Sequence, residues 1–84
     1  MVSERFAELI TRRRFCDLVG IHRTTLKRWE KAGVVAPKLE PVIGIMTYVF
    51  TGEEVEFGKR LARLLAARPG EISLTEAAIE ARTK

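Results

Sequence analysis

Arg23, Lys27 and Lys31 recur four residues apart. At 3.6 residues per turn they form one stripe on a helix. Thr24 lies within the stripe and Arg28 on its flank, while Thr25, Leu26, Trp29 and Ala32 fall on the other side. A helix fits the DNA major groove, and Arg or Lys can donate there to guanine O6 and N7. Thr can donate to a base or touch a thymine methyl. The N-terminal residues of such a helix reach deepest, which makes Arg23, Thr24 and Lys27 the candidate base readers. A merely solvated cationic face has the same residue pattern, so the surrounding elements must decide between the two.

Arg12, Arg13 and Arg14 pose a second chemical question. Three cations in the first turn of a helix oppose its dipole, at about 0.3–1 kcal/mol each when exposed. Arg14 also takes the position at which a Glu would close a capping box with Thr11. A phosphate partner reverses the sign, because helix N-termini and arginines both bind phosphate. In a helix-turn-helix the first helix crosses the DNA backbone. Arg12, Arg13, Arg14 and Lys31 are therefore candidate phosphate contacts, against the plainer reading of a basic run that aids solubility.

The elements that must position these residues follow from local signals. Ser3 caps a first short helix carrying Phe6, Leu9 and Ile10. Thr11 caps a second, about 12–19, with Phe15, Leu18 and Val19 inward, and Gly20 ends it. Ile21 anchors the turn, and a third helix runs from His22 or Arg23 to about Ala32, stopped by Gly33. Pro37 and Pro41 forbid further helix. Between Lys38 and Phe50 the residues become β-branched and aromatic, which predicts a two-stranded hairpin with Pro41–Gly44 at its turn. Alternation requires part of this apolar hairpin to pack on the core, and any remainder is a contact surface for another protein. Thr51 with Glu54, and Ser73 with Glu76, are capping boxes opening helices of about 52–67 and 74–82. Two short helices joined by a tight glycine turn, over about 11–33, have helix-turn-helix geometry.

The 84 residues make one domain, 1–84, with a small core. Hydrophobic residues are 46% and charged residues 31%, a balance that folds. The net charge is +4, and the first 40 residues supply all of the excess, with nine Lys/Arg against five Asp/Glu. From Arg12 to Lys31 there are seven bases and two acids. Nucleic acid is the partner such a distribution suits. The longest apolar stretch, Val42 to Phe50, is too short to span a bilayer, and the N-terminus lacks the pattern of a signal peptide. A cytoplasmic, nucleoid-associated location is expected, with no membrane partner.

Cys16, the one cysteine, excludes an intrachain disulfide and a multi-cysteine zinc site and reads as a small buried residue. His22, the one histidine, caps the third helix or touches a phosphate, and no metal role is expected. Trp29 reads as core. Glu53, Glu54 and Glu56 match the dipole of their helix rather than form a nuclease site. One Asp, one His and no glycine-rich phosphate loop leave no catalytic constellation, so neither an enzyme nor a cofactor is expected.

The segment LITRRRFCDLVGIHRTTLKRWEKAGVV resembles the start of the excisionase-family and MerR-type winged helix-turn-helix domains. The resemblance rests on a Thr cap, a small residue at Cys16, Gly20-Ile21, Thr25-Leu26, an aromatic at Trp29 and Gly33. FTGEEV with its helix, and GEISLTEAAIEA, resemble the later helices, so that about residues 10–81 are covered. The resemblance implies a mainly α winged helix-turn-helix with a two-stranded β-hairpin wing over about 38–50. It puts His22–Lys31 in the major groove and the wing on phosphate or the minor groove.

Two departures stand out. MerR-type wings usually carry Gly-Tyr-Arg where this chain has Met46-Thr47-Tyr48, with Tyr48 at the Arg position. The tip, Val42-Ile43-Gly44-Ile45, is uncharged, which leaves Lys38, Thr47 and Tyr48 for any phosphate contact. A MerR-type regulator also continues into a dimerisation helix and effector domain, so a stand-alone excisionase-type factor that binds and bends DNA is expected first. A small transcription regulator without an effector domain comes next, and a phage DNA-packaging or protein-interaction module follows. The expected partners are double-stranded DNA, an integrase or other DNA-bound protein, and a second copy through the wing or first helix.

Overall fold

The structure is a computed structural model and describes residues 10–83. It is mixed and mostly helical. Its elements are β1 (Ile10–Thr11), α1 (Arg12–Val19), α2 (Arg23–Lys31), β2 (Lys38–Val42), β3 (Ile45–Phe50), α3 (Gly52–Ala67) and α4 (Leu74–Arg82).

Local chemistry sets most boundaries. Thr11 Oγ1 accepts from the Arg14 N–H at 3.3 Å and starts α1. Gly20, at φ 81°, ends it and donates its N–H to the Cys16 carbonyl at 2.8 Å. Ser73 and Glu76 close their capping box in both directions, each N–H donating to the other's side chain. At Thr51 only half of the expected box forms. Its Oγ1 accepts from the Glu54 N–H at 3.3 Å, but the Glu54 carboxylate does not return the bond, and its Oε2 is buried without a partner among the described residues. Ala32, expected on the apolar side of α2, is exposed, because the helix stops at Lys31 and Ala32 is its C-cap.

The sheet has three antiparallel strands in the order β1-β3-β2, where a two-stranded hairpin was expected. Ile10 pairs with Phe50 and Thr11 with Val49. Ile10 is thus a strand residue and not part of a first helix; Ser3, Phe6 and Leu9 of that helix lie outside the described residues. The hairpin turn is Ile43-Gly44 alone, since Val42 pairs with Ile45. Pro41, expected in the turn, sits inside β2 opposite Met46. β2 is an edge strand, where a missing N–H is tolerated.

Phe15, Leu26, Trp29, Val35, Phe50 and Leu61 are the most deeply buried large residues, so Trp29 belongs to the core. The Phe15 and Phe50 rings stack with centroids 4.3 Å apart. Ala77, Ala78 and Ala81 bury one face of α4. α1 approaches α3 so closely that a Cβ at Gly58 would lie 2.9 Å from Phe15 Cζ and 3.0 Å from Val19 Cγ2. The hairpin contributes less to the core than alternation suggests. Only Val49 and Phe50 are buried, and Leu39, Ile43, Ile45, Met46 and Tyr48 are exposed. The strands extend past the helices, so neither face is covered beyond the root.

Gly58→Ala should therefore destabilise. Overpacking costs about 1–3 kcal/mol and exceeds the gain of up to about 1 kcal/mol in helix propensity. A urea midpoint that falls is expected; one that rises would mean that Phe15 moves aside freely.

Candidate nucleic-acid interface

The face of α2 is built from its opposite side. Leu26 and Trp29 are buried and fix the helix against the core. Arg23, Thr24, Lys27, Arg28 and Lys31 are consequently exposed. None of the four bases among them has a carboxylate partner within the described residues.

His22 is the N-cap of α2. Its Nδ1 accepts from the Thr24 N–H at 3.2 Å and lies 2.9 Å from Thr24 Oγ1. In the tautomer that accepts this bond at Nδ1, the ring proton is on Nε2. That N–H has no partner among the described residues and is available to an acceptor outside. Thr24 meets the cap through both backbone and hydroxyl. Its methyl group remains for a base, whereas its O–H is already directed at His22.

The three arginines of α1 separate into two groups. Arg13 and Arg14 are exposed, with no carboxylate partner among the described residues. Arg12 grips Glu30 of α2 with a fork, Nη2 donating to Oε1 at 2.8 Å and Nε to Oε2 at 3.1 Å. Its guanidinium carbon also lies 4.5 Å from the centre of the Tyr48 ring on β3. The hydrogen bond to Glu30 pushes the Arg12 pKa above its ordinary value. Arg12 thus ties α1, α2 and the hairpin root together. Among the arginines expected on phosphate, it is the one already engaged, and Tyr48 is engaged with it.

Glu30 is the residue that sequence reasoning passed over. On the helical wheel it falls between the cationic stripe and Leu26, and it is the only acid on α2. That border position was the available signal.

An open cleft of about 760 Å³ runs between α1 and α2. Arg12, Arg13, Arg23 and Lys27 line it together with Asp17 and Glu30. Cys16 also faces it, and burial, helped by the charges of Asp17 and Glu30, pushes its thiol pKa up. No group of three or more metal-ligating side chains occurs among the described residues, and none of their helices is long and apolar enough to cross a membrane.

No family model, no curated protein and no solved structure matches this chain.

The Arg12–Glu30 fork is half-exposed and should carry a modest coupling. A double-mutant cycle of Arg12→Ala and Glu30→Ala should give about 0.5–1 kcal/mol in low salt and less in high salt. Additive single losses would remove the tie between the helices from the account.

Proposed function

We propose that this chain is a winged helix-turn-helix protein that binds double-stranded DNA with sequence preference. In this reading α1 and α2 are the helix-turn-helix and the β2–β3 hairpin is the wing. The observation that carries it is the α2 face: five exposed polar residues, four of them cationic, held outward by Leu26 and Trp29 and without an ion-pair partner among the described residues. Charge at this density on one rigid helix suits the major groove better than bulk solvent, where it only repels itself.

Arg23, Lys27 and Arg28 read base edges in this scheme, with the Thr24 methyl beside them. Arg13, Arg14 and Lys31 meet phosphates, and the His22 Nε2–H adds a donor at the N-terminal end of α2. Arg12 and Tyr48 position the wing. The uncharged hairpin tip favours an accessory factor of excisionase type, which binds and bends DNA for an integrase, over a small regulator. The site of action would be the nucleoid.

Selection of bound duplexes from a random pool tests the reading. Arg23→Ala should lower affinity for the enriched duplex by about 1–3 kcal/mol and relax its sequence preference. Arg13→Ala should weaken all duplexes alike and reduce the salt slope by about one. Equal loss of discrimination in both variants would contradict the division into readers and phosphate contacts. Failure to enrich any sequence would contradict sequence-preferential binding itself. Direct repeats filled cooperatively would agree with an accessory factor, and a palindrome would turn the assignment to a regulator.

A further inference from the structure

We propose that Ile43, at the hairpin tip, is a wedge that enters the minor groove and separates two stacked base pairs. The proposal rests on the DNA-binding reading and assigns it a second contact site and a mechanism for bending.

The turn is the first observation. Val42 pairs with Ile45, so the loop has two residues, Ile43 and Gly44, at φ 53° and 76°. Two positive φ values mark a type I′ turn, which strongly prefers Asn-Gly or Asp-Gly. A β-branched residue at positive φ is an outlier, because its Cβ crowds the backbone. Ile43 is the only non-glycine residue with positive φ among the described residues. Its side chain recovers nothing by burial, since 85% of the residue is exposed. Neither backbone conformation nor packing within this chain favours Ile at this position.

The second observation is what surrounds the tip. Ile45 is 69% exposed and Met46 58%, and adjacent strand residues point to opposite faces. The tip is therefore apolar on both faces and at its end, and none of its side chains can hold a phosphate. Ile and Met are side chains that proteins insert between base steps from the minor groove.

Charge complementarity decides the partner. The apolar tip extends from a body with a cationic face on α2, Arg13 and Arg14 on α1, and Lys38 at the start of β2. A polyanion is drawn to that face, and an apolar projection from it can reach the base stack only through a groove. The Arg12 fork to Glu30 and its stacking on Tyr48 brace the hairpin root against the reading helix. A braced hairpin can transmit force to DNA that α2 already holds.

The test uses the full chain and a duplex enriched from the random pool, with 2-aminopurine placed at one adenine at a time. Binding of the natural chain should raise 2-aminopurine fluorescence at one step beside the α2 footprint and bend the duplex by roughly 20–90°. Ile43→Asn should relieve the turn and raise Tm by roughly 4–8 °C. The variant should keep the α2 footprint while losing both the fluorescence rise and the bend. A footprint without any unstacked step, or a bend that survives Ile43→Asn, would overturn the wedge and leave the DNA-binding reading intact. Ile43→Asn that abolishes self-association in sedimentation, with the bend unchanged, would overturn it in favour of docking to a second copy. No footprint on any duplex would overturn the reading and the wedge together.

Discussion

The buried ring of Phe15 governs how the pieces of this small protein meet. It stacks on Phe50 at the root of the hairpin and presses against Gly58 of α3 at a distance that leaves no room for a side chain. One residue of α1 therefore sets the position of that helix against the sheet and against α3. An 84-residue chain has few alternative contacts with which to do this. Once α1 is fixed, Arg12 at its first turn reaches both Glu30 and Tyr48, and α2 and the hairpin acquire a common brace. The exposed bases of α2 then stand on a rigid base, which is what groove recognition requires.

Two of the places where local chemistry is violated lie on the surface assigned to DNA. α4 obeys every local rule, with a reciprocal capping box at Ser73 and Glu76 and Arg82 in its last turn. α1 opens on three arginines where its dipole favours acids. The hairpin places a β-branched residue where its turn calls for Asn. Proteins commonly break local rules at functional sites and satisfy them elsewhere. One violation has an internal remedy, because Glu30 neutralises Arg12. Arg13, Arg14 and Ile43 have none among the described residues, and they are the ones assigned to partners.

Much of the fold was legible because its signals are local. Thr11, Gly20, Thr51 and Ser73 mark helix ends through their own hydrogen bonds or φ values, and the structure places ends there. The exposed and buried sides of α2 follow from the wheel except at Ala32, where one residue of helix length decides the outcome. Contacts between distant residues were not legible. Ile10 pairs with Phe50 through a two-residue strand, too short to leave a periodic pattern. Arg12 and Glu30 are 18 residues apart, and nothing in the spacing of either announces the other. The run from Val42 to Phe50 resembles core by composition, yet composition does not say how far a hairpin extends past the helices that cover its root.

With the cationic face of α2 proposed to lie in the major groove, guanine N7, which faces that groove, reports on it directly. Dimethyl sulfate protection of an enriched duplex by the full chain, run at low and moderate salt, is the measurement. Guanines protected at N7 in one short cluster that persists at moderate salt and disappears with Arg23→Ala are the expected result. Uniform weak protection that vanishes as salt rises, or none at all with the duplex bound, would contradict the proposal.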